Sequence, residues 1–485
     1  MVVGAFFLQG YEGPKNRYHQ HLEAKTKEVC TDHGDDVFCT HLPLLNITTD
    51  GEIPEPYHYD ESDNKIINEN GHSIKNNDTV AATIQYYDSE NGKNHLKDSP
   101  IFTESSQFRI RGNTSRNYDK KNYLINFTED DLTTSKKVAF KNLAPDNSWA
   151  LHGPFLDKTL IRNYLCYNLA GEMMEYSPNV FFCEMFLNGE YQGVYLITEK
   201  ITRNNEGRIH LTKSDPNMNE TSFIIKIDRG YMDEAFNIHP FGMNTGYLYE
   251  PGIYAQPEIV YPSFTLTIEQ KQYIENEISK FEKTLTSFDF NHKKYGYSSY
   301  IDVDSFVNYF LLNEFTLNYD ALKYSTYLYK DLKGKIKMVP WDFNNSFDNY
   351  RESLTTPQTF SLQNKLWYYY LFKDENFTDK VVHRYYQLRK KCLNEEYLMR
   401  YIDDTVQYLG PAIQRNYEKW GYSFQSEQDY LVPKARNVRN YDQSIEQLKD
   451  CIHLRLEYMD QNINQLYSYS HASANKKYKL ESGGK

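Results

Sequence analysis

Over residues 37–228 the apolar positions come in short alternating runs, HLPLLNI, AATIQYY, FRIRG and KKNYLINF, parted by loops rich in Asn, Asp and Gly. A period of two sets one side of each run against a core and the other toward solvent, which predicts a twisted antiparallel sheet. After the Pro145-Asp146 turn the period lengthens. Leu160, Ile161, Tyr164, Leu165 and Leu169 recur at helical spacing, with Asp157 as the cap of a helix reaching Met174. The run VFFCEMFLNGEYQGVYLITEK then predicts a hairpin, because Asn188-Gly189 suits a type I′ turn. Phe223–Asp228 is a further strand, followed by a long loop through Pro262.

Residues 229–470 read as mostly helical. Thr267 and Gln270 form a capping box before a helix that carries Ile274, Ile278, Phe281 and Leu285 on one face. A second helix covers Asp304 to Phe315, and the segment ends with Ile445, Leu448, Ile452, Leu456, Met459, Ile463 and Leu466 at steps of three and four. Within it, residues 314–348 break the helical pattern: Ser325–Lys330 and Lys335–Pro340 predict two short strands joined at Lys333-Gly334. Residues 1–36 read as a polar lead-in and 471–485 as a tail.

The hairpin carries the chemistry. Asp320 precedes its first strand and Asp342 follows its second, and the entry and exit of an antiparallel pair lie at the same end. Two carboxylates distant in sequence therefore converge, as binding of a hard divalent cation requires. Kinase-type phosphoryl transfer uses such a pair, one aspartate taking the proton of the attacking hydroxyl and the other holding Mg²⁺ on the nucleotide phosphates. Ser325 stands five residues after Asp320, where ordinary kinases place a metal-binding asparagine; a hydroxyl ligates there with a shorter reach. Strict alternation in KKNYLINF puts Lys121 on the face of Tyr123, Ile125 and Phe127, and Lys120 on the polar side. A lysine on an apolar face needs an anion, either a nucleotide phosphate or a carboxylate, with Asp157 and Glu172 both open as that partner. Arg111 ends a strand at a Gly-Asn turn and is a candidate phosphate contact. Arg162 either contacts phosphate or braces Asp157. Glu199 and Lys200 close the Asn-Gly hairpin where a kinase hinge would hold adenine through backbone groups, and Trp341 and Phe343 read as packing around Asp342. No G-x-x-x-x-G-K-[ST] loop occurs, which disfavours a P-loop ATPase.

FRIRGNTS with KKNYLINF, SWALHGPFLDKTLIRNYL, MFLNGEYQGVYLITEKI, and IDVDSFVNYFLLNEFTLNYD with PWDFNNSF follow one another in an order that resembles the spore coat protein H (CotH) kinase family. The resemblance runs from Leu42 to Tyr350 and more weakly through the C-terminal helices. It implies an α+β, atypical protein kinase-like fold of two lobes, the β-rich N-lobe over 37–228 and the helical C-lobe over 229–470. It also implies ATP with Mg²⁺ or Mn²⁺, and a serine or threonine acceptor in low-complexity surface or coat proteins. Asn344 departs from the family, which often has a second aspartate two residues beyond Asp342. The rival expectations are a non-catalytic surface or adhesion protein on the same fold, and AMP transfer.

Composition narrows the partners. A net charge of -12 over 485 residues argues against nucleic acid, whose phosphates demand a concentrated basic surface, and favours a basic peptide substrate. No apolar run is long enough to span a membrane, and MVVGAFFLQG lacks the basic start of a signal peptide. Six cysteines fall outside metal-ligand spacing; Cys30 and Cys39 are close enough to pair in an oxidising compartment. With sequons at Asn46, Asn77, Asn126, Asn219 and Asn376, this leans toward a secreted or cell- or spore-surface protein.

Overall fold

The computed structural model describes residues 17–23, 38–67, 73–204, 208–229, 234–246, 248, 255–351 and 356–471. The alternating runs become Leu44–Thr49, Val80–Tyr87, Phe102–Arg111 and Asn122–Phe127, and the hairpin is Val180–Leu187 with Glu190–Glu199. Asn188 and Gly189 both have positive φ, 51° and 82°, as the type I′ turn requires. With Ser148–His152, a strand the periodicity had not revealed, these strands close into a barrel rather than an open antiparallel sheet. Closure comes from a parallel pairing of Leu44–Ile47 with Glu184–Leu187. Ile125, Phe127, Trp149, Phe181 and Ile197 fill its interior.

A second, four-stranded sheet has the order Gln256–Tyr261, Phe223–Asp228, Thr326–Lys330, Lys337–Val339, all antiparallel. Gln256–Tyr261 falls in the stretch expected to be a loop. Pro257 hides it from a propensity reading, yet it is an edge strand, where a proline is tolerated. The helices follow the pattern closely: Ile268–Leu285 opens with both halves of the Thr267/Gln270 capping box, and Val303–Phe315 starts one residue before the expected Asp304. The helix after Asp157 is Arg162–Met173, and Asp157 accepts the Arg162 N–H at 2.9 Å.

Part of the expected lead-in is built into the structure. Arg17 donates to Asn168 Oδ1 and to the carbonyls of Tyr167, Ser177 and Pro178, and His19 and His21 are buried against Tyr401 and Tyr164. Cys39 is disulfide-bonded, while Cys166, Cys183, Cys392 and Cys451 are free thiols; Cys30, its expected partner, lies outside the described residues. No helix among the described residues is long and apolar enough to cross a membrane.

The C-terminal helix Tyr441–Asn462 is joined to the helix that leads into the Asp320 loop by a fully buried ion pair. Arg455 Nη2 lies 2.7 Å from Glu314 Oε1, and the Glu314 carboxylate also accepts the Ser361 and Leu362 N–H groups. Removing one member leaves a buried charge without its counter-ion. Glu314→Gln or Arg455→Met alone should therefore cost about 3–5 kcal/mol, and the double variant Glu314→Gln/Arg455→Met distinctly less than the sum. Denaturant unfolding of the three variants checks this, and additive losses would contradict it.

Candidate active site

Strand register brings the acidic residues together. Phe223–Asp228 ends, Thr326–Lys330 begins and Lys337–Val339 ends at one edge of the four-stranded sheet, since Ile227 pairs with Thr326 and Tyr327 with Val339. That edge therefore carries Asp228, Ser325 and, three residues past the last strand, Asp342, with the Asp320 loop leading in. Asp320 is near enough for its charge to act on Asp342, and Asp228 acts on both. All three carboxylates are half-buried. Burial, then the Asp320 charge, raises Asp342 to about 6, with Arg111 and the Asn344 N–H opposing and Asp228 adding to the rise. Burial also raises Asp320, against Arg229, a hydrogen bond from Asn345 Nδ2 at 2.7 Å, and Lys323.

Asp342 sits at φ 62°, a left-handed conformation disfavoured for a residue with a Cβ, and its surroundings hold it there. The helix Arg162–Met173 supplies three contacts. Tyr167 Oη accepts the Asp342 N–H at 3.0 Å, Asn163 Oδ1 accepts the Phe343 N–H at 2.8 Å, and Arg162 Nε donates to Ser346 O at 3.0 Å. From the other side Asn318 Nδ2 donates to Asp342 O at 3.2 Å, which ties the two arms of the hairpin together. Asn344 Nδ2 donates to Asp342 Oδ1 at 2.7 Å and Asn163 Nδ2 to Asn344 Oδ1 at 2.8 Å. Trp341 and Phe343 pack against Tyr167, as expected of them.

Arg111 stands beside this acidic edge, its guanidinium 5.6 Å from the Trp341 ring centre, and its charge lowers Asp342. Lys200 stands near it, held down to about 8 by burial and by Arg111 and Arg109. Ser325 is half-buried at φ 49°. Arg162 takes the bracing role: it is buried, bound to Asp157 at 2.6 Å and to the Ser346 carbonyl. Glu199 is buried with its carboxylate accepting from Asn179, and its backbone N–H donates to Asn179 O.

The lysine assignment is reversed. Lys120, expected on the polar side, is 1 % exposed, with Nζ donating to Val194 O and Asn416 Oδ1, both at 2.7 Å. Lys121 is half-buried and donates to Arg116 O at 2.9 Å. Alternation governs only residues within the ladder, and this strand begins at Asn122, opposite Arg111. Neither carboxylate considered as its partner serves Lys121: Asp157 binds Arg162, and Glu172 accepts from Tyr397 Oη.

Asp228, Arg229 and Lys226 were not anticipated. Lys226 Nζ lies 2.8 Å from Glu258 and 3.7 Å from Asp228, and Arg229 lies over the Tyr324 ring at 3.8 Å. The DR pair at a strand end was the available signal, but only non-local pairing sets it beside the hairpin. Among the described residues no group of three or more His, Cys, Asp or Glu converges closely enough to hold a metal ion unaided. Two mutually repelling, half-buried carboxylates nevertheless suit a cation that completes its shell with substrate oxygens, as Mg²⁺ does on nucleotide phosphates.

A profile of the CotH kinase protein family matches residues 108–459. The chain is also similar to inner spore coat protein H of Bacillus subtilis (strain 168), 24% identical over 235 residues, 48% of this chain and 56% of that protein. The match thus spans little more than half of the relative's length.

The raised Asp342 carboxyl has a stability consequence. Its folded-state value of about 6 exceeds the ordinary 3.8, so its contribution to folding is present below pH 4 and lost as pH rises toward 6. In chelator, Asp342→Asn should match the wild type near pH 4 and exceed it above pH 6 by about 1–3 kcal/mol, reduced by partial solvent screening. Chemical denaturation across that range measures the difference, and a constant gap would contradict the assignment.

Proposed function

Because the chain belongs to the CotH kinase protein family, we propose that it is an atypical protein kinase that transfers the γ-phosphoryl group of ATP to a serine or threonine of a protein substrate. The observation that carries this reading is the delivery of Asp228, Asp320 and Asp342 to one sheet edge with Arg111 beside them. In this reading the fold has two lobes, the barrel side and the helical side, with the cleft between them. Asp342 holds the divalent ion, with Ser325 and Asp228 as further oxygen donors. A bound Mg²⁺ or Mn²⁺ neutralises charge on the phosphate oxygens.

Asp320 hydrogen-bonds the acceptor hydroxyl and takes its proton as the oxygen attacks phosphorus and ADP leaves. The Asn345 amide on its carboxylate fixes which oxygen faces the substrate. Arg111 contacts phosphate. The name of the Bacillus subtilis relative, inner spore coat protein H, supports placing the protein at a spore surface, and the substrates in this reading are surface or coat proteins.

Intact-mass measurement after incubation with ATP and Mn²⁺ tests the reading: a gain of one phosphate supports it, a gain of AMP makes the protein an AMP transferase, and no gain favours a non-catalytic surface protein. Asp320→Ala should retain ATP binding by calorimetry and lose transfer, whereas Asp342→Ala should lose metal-dependent binding. Unchanged affinity in the second variant would refute the metal assignment. Ser325→Ala should raise the metal concentration for half-maximal activity and Ser325→Asn lower it, because the longer amide reaches further. Identical metal titrations would make Ser325 only the residue before a strand.

A further inference from the structure

The chain folds back on itself directly after Asp320. The Asp320 carbonyl accepts the Lys323 and Tyr324 N–H groups at 3.0 and 2.7 Å, so Lys323 and Tyr324 share one tight turn with that carboxylate before the strand Thr326–Lys330 begins. Pairing of Ile227 with Thr326 brings Arg229, just past the end of its own strand, to the same turn. The two cations are held there by aromatic rings. Arg229 lies over the Tyr324 ring at 3.8 Å, and Lys323 Nζ stands 5.1 Å from the centre of that ring and 5.4 Å from the centre of the Tyr319 ring. Tyr319 is itself packed on Tyr350, with ring centres 4.3 Å apart.

The rings attract the charges but leave the N–H donors unspent. Lys323 is half-buried, and among the described residues its ammonium makes no hydrogen bond and no ion pair. The half-buried Arg229 side chain likewise donates no hydrogen bond among the described residues; its carboxylate neighbour Asp228 is 3.9 Å away, beyond hydrogen-bond reach. Both cations belong to the Asp320 side of the acidic edge. Burial raises Asp320 and the charges of Arg229 and Lys323 oppose that rise, whereas at Asp342 the opposing cation is Arg111. Asn345 occupies Asp320 Oδ2 from the other direction. A guanidinium and an ammonium with free donors, fixed beside one carboxylate by shared rings, are prepared for anions that arrive with whatever that carboxylate receives.

We propose that Arg229 and Lys323 form a subsite for an acidic acceptor segment, in which they bind aspartate or glutamate side chains flanking the serine or threonine presented to Asp320. The assignment rests on the kinase reading given above and names its substrate class. It is the opposite of the basic peptide that the overall charge favours, because recognition depends on the charges at the point of contact and not on the sum over the chain.

Peptide binding and peptide phosphorylation by the full chain test it separately. Fluorescence anisotropy is measured with two labelled peptides whose acceptor serine is replaced by alanine, one flanked by aspartates and one by lysines, and calorimetry gives the ATP affinity of each protein. The wild type should bind the aspartate peptide about ten-fold or more tighter than the lysine peptide, the scale of a charge-assisted hydrogen bond. Lys323→Ala and Arg229→Gln should each lose most of that preference and, with the serine form of the peptide, raise its KM, while ATP affinity stays within two-fold of wild type. Lys323→Glu should shift the preference toward the lysine peptide, a gain that a misfolded variant cannot produce. A wild type that binds both peptides equally or favours lysine, or variants that lose ATP affinity in place of peptide preference, would overturn the proposal while leaving the kinase reading standing. Selective binding of the aspartate peptide without phosphoryl transfer to its serine form would support the subsite and remove the kinase reading.

Discussion

The backbone of Asp342 occupies a left-handed conformation that costs about 1 kcal/mol or more for a residue with a side chain, and one face of the helix Arg162–Met173 holds it there. Arg162, Asn163 and Tyr167 fall within little more than one turn, and each takes or gives a hydrogen bond to the main chain between Asp342 and Ser346. The Asp342 carboxylate in turn accepts a hydrogen bond from the Asn344 amide at 2.7 Å. Arg162 makes its contact because Asp157 neutralises it within the protein, so its remaining donor is free to reach the loop. The helix is thereby committed to holding the geometry of the Asp342 loop.

Electrostatics then decides what the cleft accepts. Burial raises the cost of ionising both Asp320 and Asp342, the Asp320 charge adds to it at Asp342, and Asp228 adds to it at both. Arg111, Lys226 and Arg229 approach this edge from different elements. Lys226 pairs with Glu258 at 2.8 Å and stands 3.7 Å from Asp228, and Arg229 lies 3.9 Å from the same carboxylate. Under the proposed function, a divalent cation with a phosphate chain would complement both kinds of charge. The net charge of -12 is no guide to this region, which is locally rich in cations.

The helical half contributes rigidity at a distance. Glu314 and Arg455, both fully buried, join the helix entering the Asp320 loop to the last long helix. Lys120 ties the barrel to the helix Pro411–Trp420 through Asn416, where Gly193 at φ 90° leaves no room for a Cβ. Asn416 also accepts the Val194 N–H, so a single side chain joins the loop, the strand and the helix Pro411–Trp420.

Local physics was legible in the sequence. The alternation that forms Asn122–Phe127, the Asn188-Gly189 turn, the Thr267/Gln270 capping box, and the placement of Asp320 and Asp342 at the two ends of one hairpin all depend on residues a few positions apart. Their outcome is fixed by strand period, turn dihedrals and caps, which the chain encodes locally. What the tertiary structure decided was which ends meet. Pairing of Phe223–Asp228 with Thr326–Lys330, about a hundred residues apart, brings Asp228 to the site, and the parallel contact of Leu44–Ile47 with Glu184–Leu187 closes the barrel. The lysines show the same division. Alternation ends where the ladder ends, so Lys120 turned inward and Lys121 did not. Such placements follow from competition among many distant surfaces for burial and hydrogen bonding, and no short window of sequence carries that information.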